Sequence, residues 1–204
     1  MSMCIPDVSK QCSTVPIKRL SRFDQPRTTR HFLALGSDDR RLRFGGGQSD
    51  LAIRAYVDRI NFEDEALFGV FDDDLHLVGV AHLVRSDGHA ELGISVLVAH
   101  RNRGIGAALL KCAHTHARHW RVRRLLMHCL AENGAIMRLA SREGMAVVNE
   151  AGEAHAWLKL PPPDMSSCIA AAFEQHVGRF YYALKSQRVG LRQFIEERQP
   201  ATGW

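Results

Sequence analysis

Between Glu91 and Leu110 the sequence ELGISVLVAHRNRGIGAALL changes its hydrophobic period from two to 3.6, across a short basic loop bearing two glycines. A strand must therefore run into a helix through backbone that is free to bend. Upstream, the β-rich runs EALFGVF and LHLVGVAHLV are divided by Asp72-Asp73-Asp74, and Ser86-Asp87-Gly88 leads on into ELGISVLV. Those turns predict three antiparallel strands in succession. Downstream, VRRLLMHCLA reads as another strand, Asn133 as the N-cap of a helix from Ala135 to Glu143, and Gly144 as the left-handed residue that ends it. MAVVNEAGEAHAWLKL then makes a closing hairpin turned at Glu150 to Glu153. At the other end, Val15 to Asp24 reads as a first strand, and Gln25 to Phe62 as helical patches separated by breakers. A helix is expected from Ser49 to Ile60, capped by Ser49 or Asp50.

Residues 1–14 are polar and unpatterned and are expected to form a flexible arm, with the folded domain at residues 15–161. Pro161-Pro162-Pro163 stops the sheet and opens the segment 162–204. There, Ile169, Phe173, Val177, Phe180 and Leu184 recur at helical spacing from Asp164 onward and predict an amphipathic helix of five or more turns. Such a helix covers its own domain, a second copy in a homodimer or another partner, and the sequence leaves these open.

With 46% hydrophobic and 24% charged residues, the chain has an ordinary globular composition, which excludes wholesale disorder, collagen and coiled coil. A net charge of +5 is too mild to signal a nucleic-acid partner, and the arginine bias, with only five lysines among 27 basic residues, decides nothing by itself. No apolar run approaches the ~20 residues of a membrane span, and the start MSMCIPDVSK lacks a leader's order, so a cytoplasmic protein without membrane contact is expected. The cysteines are scattered without a C-x-x-C pair, and His114, His116 and His119 fan around one helix, so no metal is expected.

Chemistry concentrates in the glycine-bearing loop. A helix N-terminus offers unpaired amides and a favourable dipole to an anion, glycines let ligand oxygens approach backbone, and Arg101 and Arg103 add charge. Asn102 tolerates the left-handed kink that a nest of amides requires. A dinucleotide fits poorly. Its third glycine is Leu109 here, five residues separate the apolar strand from Gly104, and the upstream strands are antiparallel rather than parallel.

The alternative is coenzyme A. Arg101-x-x-Gly104-x-Gly106, preceded by Val96-Leu97-Val98 and followed by Ala107-Ala108-Leu109-Leu110, resembles the acetyl-CoA loop of the GNAT superfamily of N-acetyltransferases. The later order of Asn133, Leu139 and Gly144-Met145 resembles that family's Asn, Leu-Tyr and Gly-Phe signature, and the likeness spans about Val15 to Leu160. It implies an α/β (α+β) fold: a GNAT-like mixed, mostly antiparallel sheet of about seven strands, flanked by helices, with the fourth and fifth strands splayed where acetyl-CoA enters. It further implies that amides around Arg103, Gly104, Ile105, Gly106 and Ala107 hold the diphosphate. Backbone of Val96 and Val98, flanking Leu97, would pair with the pantetheine arm, and Asn133 would lie beside that arm.

An amine with a pKa near ~10.4 must lose a proton to attack a thioester, and a carboxylate in a cleft can take it, best when burial raises its pKa. Alternation places Leu92, Ile94, Val96 and Val98 on one face of ELGISVLV, and Glu91, Gly93, Ser95 and Leu97 on the other, where small side chains leave room for a ligand. Ala90-Glu91 resembles the Ala-Glu that begins this strand in the bacterial protein-lysine acetyltransferase branch, whose glutamate is taken as general base. That likeness implies Glu91 as catalytic base and a protein lysine as acceptor, with Ser95 and His128 as lesser candidates. A small-molecule amine, or a non-catalytic acyl-CoA-binding module, are the alternatives. Ala140 stands where many GNAT enzymes carry the tyrosine that protonates the departing thiolate.

Overall fold

The computed structural model describes residues 15–150, 152–162 and 177–189. In chain order the elements are β1 (Lys18–Arg19), a 3-10 turn at Arg22–Asp24, α1 (Gln25–Leu33), α2 (Ser37–Phe44), α3 (Asp50–Asp58), β2 (Ala66–Phe71), β3 (Leu77–Ser86) and β4 (His89–Val96). A second 3-10 turn at Val98–His100 is followed by α4 (Ile105–His119), β5 (Arg124–Leu130), α5 (Gly134–Arg142), β6 (Ala146–Glu150) and β7 (Glu153–Lys159). The strands form one sheet in the order β1-β2-β3-β4-β5-β7-β6, the mixed, mostly antiparallel architecture expected.

Side chains set the local boundaries as the residue types require. Asp72 Oδ1 accepts from the N–H groups of Asp74 and His76 at 3.1 and 2.8 Å, which closes the β2–β3 turn. Ser49 caps α3 by accepting from the Ala52 N–H at 3.2 Å, and Asn133 caps α5 through the Ile136 N–H, also at 3.2 Å. One boundary differs. The strand expected from Val15 to Asp24 shrinks to two paired residues, because the buried Asp24 carboxylate gathers Lys18 Nζ, Ser21 N–H and Ser21 Oγ at 2.7 to 3.2 Å and bends the chain.

All neighbouring strands are antiparallel except β4 and β5. Those two pair in parallel only from His89 to Glu91 against Arg124 to Leu126. Beyond Glu91, β4 stays with β3 while β5 follows β7, so a seam opens in the middle of the sheet. The Leu97 N–H donates to Val78 O at 2.9 Å, which fixes the phase of the β3–β4 ladder. By the alternation of an antiparallel pair, Glu91, Gly93, Ser95 and Leu97 direct their peptide groups at β3, and Leu92, Ile94 and Val96 direct theirs into the seam.

Two cores sandwich the sheet. On one face α4 and α5 bury Leu92, Leu109, Ala113, Leu125, Met127 and Ala140. On the other, α1 and α3 bury Phe32, Ile53, Val57, Leu67, Leu77 and Val80. The second core also holds His31, whose Nδ1–H donates to Leu77 O while its Nε2 accepts from Ser95 Oγ, both at 2.8 Å.

Burial pushes the His31 pKa down to about 4, and the nearby Arg43 charge acts in the same direction. The unfolded chain titrates near ~6.5 and so binds more protons than the folded one between these values. Stability is therefore full above pH ~6.5 and falls as pH drops toward 4, by about 2 kcal/mol at pH ~5 from this residue alone. Urea denaturation at pH 7.5 and 5.0 checks this, because His31→Gln should shrink the difference between the two pH values by that amount. A pH dependence equal to wild type would contradict it.

The expected C-terminal helix starts outside the described residues, but residues 177–189 are helical and pack on the β1–β2 edge of the same chain. Lys185 Nζ donates to Phe71 O at 2.9 Å, and the Tyr182 ring meets Phe71 at 4.8 Å. At Gly178 an added Cβ would overlap the Ile17 carbonyl, so the approach requires glycine. Among the described residues the contacts come from Gly178, Tyr182 and Lys185, while Phe180 and Leu184 of the expected stripe are exposed. Ile169 and Phe173 lie outside the described residues. Among the described residues, no helix is long and apolar enough to cross a membrane.

Candidate active site

The loop between β4 and α4 is kinked twice, with Asn102 at φ 59° and Gly104 at φ 76°. Asparagine and glycine are the residues that adopt this left-handed conformation at least cost. The first backbone bond of α4 runs from Ala108 N–H to Gly104 O, so the amides of Ile105, Gly106 and Ala107 precede the helical ladder. Nothing lies within 4 Å of a Cβ built at Gly104, so the helix begins beside open space at that position. Arg103 is exposed beside them. Gly106 has a packing role as well, since an added Cβ would come within 3.3 Å of Leu139 on α5.

Arg101 is tethered rather than free, with Nη2 at 2.7 Å from Asp39 Oδ1 on α2 and Nε donating to Val96 O at 3.1 Å. From the same helix, Arg41 pairs with Glu132 just past β5, so α2 spans the mouth of the seam. The hydrogen bond from Arg41 holds the Glu132 carboxyl below its usual range. Glu132, the acidic residue near the end of β5 that a dinucleotide would need for its ribose, is thus already engaged.

The strand stops at Val96, not at Val98. Val98 opens the 3-10 turn, its carbonyl accepts the Arg101 N–H at 3.2 Å, and its side chain is exposed. The Val98 carbonyl is used in the turn and the Val96 carbonyl accepts from Arg101. The β4 groups directed into the seam without such a partner are therefore the Leu92 carbonyl, the peptide groups of Ile94 and the Val96 N–H. Leu97 packs between the two cores. Asn133 stands at the far side of the seam, with its side chain used as the α5 cap.

Glu91 is the last β4 residue paired with β5 and marks the apex of the seam. It borders a cavity of about 580 Å³ that is also lined by Arg43, Tyr56, His82, Gly93 and His128. Glu91 Oε1 lies 3.4 Å from His128 Nε2, and His128 Nδ1 lies 2.7 Å from His155 Nδ1. The Glu91 side chain is 54% exposed, so the enclosure expected of this carboxylate is not present. Nor is the space over its neighbours empty. A Cβ at Gly93 would meet both Nη atoms of Arg43 at 2.6 Å, and Ser95 is buried against His31, which removes Ser95 as a base.

Arg43, Tyr56 and His82 of the cavity wall, and Glu65 behind them, escaped the sequence reading. Arg43 lies over the Phe44, Phe32 and Tyr56 rings at 5.0, 5.6 and 6.0 Å. Its Nη2 donates to Tyr56 Oη at 3.2 Å, Tyr56 Oη lies 2.5 Å from His82 Nδ1, and His82 Nε2 lies 2.5 Å from Glu65 Oε2. His82 was the readable signal, a polar residue inside the apolar run LVGVAHLV that had to find partners once buried.

A model of the acetyltransferase (GNAT) family matches residues 36–145. No curated protein matches the chain significantly. Among solved structures, the GNAT domain of S. lividans PAT superposes with a TM-score of 0.61 at 18% identity, covering 71% of this chain and 89% of that one. The ribosomal-protein-alanine N-acetyltransferase of Brucella melitensis gives a TM-score of 0.56 at 18% identity, covering 71% and 99%. The protein yncA of Salmonella typhimurium, solved with its cofactor acetyl-CoA, gives 0.56 at 17% identity, covering 73% and 97%. At such identities the likeness establishes a shared fold.

Proposed function

The chain belongs to the acetyltransferase (GNAT) family, and from that premise we propose that it moves acetyl from acetyl-CoA directly to a primary amine of a protein lysine, with Glu91 as the base. One observation carries the reading: the seam beyond Glu91 exposes the Leu92 carbonyl, the peptide groups of Ile94 and the Val96 N–H, and ends at α4 amides that no side chain caps. That is a cradle for a long, thin ligand with a pyrophosphate at one end, so the residues fit coenzyme A. The amides from Arg103 to Ala107 would hold the diphosphate, with Arg101, Asn102 and Arg103 shaping and charging the loop. Asn133 would border the pantetheine arm.

Acetyl-CoA supplies the activated acyl group, and this chain's own residues handle charge and protons. Glu91 at the apex takes the proton from the attacking nitrogen, through water where the distance requires it. A β4 amide facing the seam near Val96 stabilises the oxyanion. Glu91 and Glu153 both line the cavity, and their charge favours a cationic side chain on approach. A cavity of about 580 Å³ equally suits a small-molecule amine, which is the second reading. Release of free thiol from acetyl-CoA, followed with lysine peptides and with small amines, decides between them. Mass spectrometry should show +acetyl on the peptide lysine at the higher kcat/KM. A strong preference for small amines would transfer the assignment to them, and no release with any amine would favour a non-catalytic acyl-CoA-binding module.

A further inference from the structure

Ala140 brings no acidic group to the site, so any side chain that protonates the departing thiolate lies elsewhere. We propose that Tyr56 is the general acid of the transfer, with His82 and Glu65 as positioning residues that hold and recharge it. The assignment rests on the transferase reading above.

The geometry that supports this is a continuous line of three groups drawn from separate elements. Glu65 Oε2 meets His82 Nε2 at 2.5 Å, and His82 Nδ1 meets Tyr56 Oη at 2.5 Å, so both ring nitrogens are engaged. His82 is 5% exposed, while the Glu65 side chain is 21% exposed and gives the line an outlet to solvent. The other end faces the chemistry. His82 pairs in register with Gly93, the second residue past the point where β4 and β5 part. Arg43 joins the two, lying against Gly93 while its Nη2 donates to Tyr56 Oη. Tyr56, His82, Gly93 and Glu91 line one cavity.

A phenol oxygen accepts two hydrogen bonds and donates one. With His82 in its charged form, Nε2–H donates to Glu65 and Nδ1–H to Tyr56 Oη, and Arg43 fills the second acceptor site. The Tyr56 O–H is then left to point into the cavity. When the nitrogen forms its bond to the acyl carbon and the C–S bond breaks, the electron pair stays on sulfur. Tyr56 gives its proton to that sulfur, and His82 Nδ1–H passes its own to the Tyr56 oxygen. The neutral imidazole, still donating from Nε2 to Glu65, regains a proton from solvent. Glu91 takes one proton from the ammonium before attack and, once that has gone to solvent, a second from the nitrogen of the tetrahedral adduct. Sulfur gains one, so each turnover from a charged amine releases one proton overall.

Leaving-group chemistry tests this. Acetyl-CoA releases an alkyl thiolate of pKa near ~8.5 that benefits from protonation, whereas an S-aryl thioacetate releases a far more stable thiolate that does not. Tyr56→Phe keeps the ring and removes the proton. We expect it to lower kcat with acetyl-CoA about 100-fold, within the usual range for a general acid, and with the aryl thioester less than about fivefold, with KM for acetyl-CoA nearly unchanged. His82→Gln should lower kcat with acetyl-CoA about tenfold and show the same donor dependence. Equal losses on both donors, or no loss, would overturn the assignment even though wild type turns over. A wild type inert with both donors and every amine would instead overturn the transferase reading and this one with it.

Discussion

Glu91→Gln should lower kcat for acetyl transfer about 100-fold or more at neutral pH and leave the affinity for acetyl-CoA nearly unchanged. The substitution conserves shape and hydrogen-bonding length but removes the only property a base needs, and general bases contribute 10²–10⁴-fold, about 3 kcal/mol at the lower end. Glu91 stands at the apex of the seam, well along β4 from the loop that would hold the diphosphate, so binding and chemistry should separate. The deficit should also narrow as pH rises toward the amine's own pKa of ~10.4, because solvent then supplies the neutral nucleophile. Steady-state rates across pH for both proteins, with cofactor affinity measured by calorimetry, check all three points. Unchanged rates would remove Glu91 from its role, and a parallel loss of affinity would make it a binding residue.

Gly104→Glu should abolish measurable acetyl-CoA binding, a loss of at least about 100-fold, in a protein that still folds. Two effects add. A side chain at φ 76° costs about 1 kcal/mol of backbone strain, and a carboxylate beside the first amides of α4 offers them an internal anion in place of the diphosphate. The surrounding space is open, so packing is untouched and the melting temperature should fall by only about 3 °C. Gly104→Ala carries the strain without the charge and should lose only a few-fold in affinity. Equal losses in Ala and Glu variants would mean that strain, not occupation of the amides, explains the effect.

The parts of this molecule that follow from local rules were readable in the chain. Asp72-Asp73-Asp74 and Ser86-Asp87-Gly88 turned the strands where expected, Asn133 capped α5, Gly144 ended it in the left-handed region, and Asn102 and Gly104 both took positive φ. What could not be read depends on side chains that meet from distant segments. Asp24 bends β1 because Lys18 and Ser21 converge on it once buried. Arg43 fills the space over Gly93, although alternation within β4 had marked that face as vacant, because α2 folds back across the sheet. Nothing in the sequence around Tyr56 marked its hydroxyl. Only the register of β3, which sets His82 opposite Gly93, and the approach of Glu65 gave its hydroxyl a partner.

The central claim is that the amides opening α4 bind the diphosphate of coenzyme A while its pantetheine arm lies along the exposed edge of β4. A crystal structure of the complex with coenzyme A tests it most directly. The account predicts phosphate oxygens within hydrogen-bonding distance of N–H groups between Arg103 and Ala107, and an arm running beside Leu92, Ile94 and Val96 toward Glu91. Coenzyme A bound elsewhere, or in the seam with its diphosphate away from those amides, would contradict it.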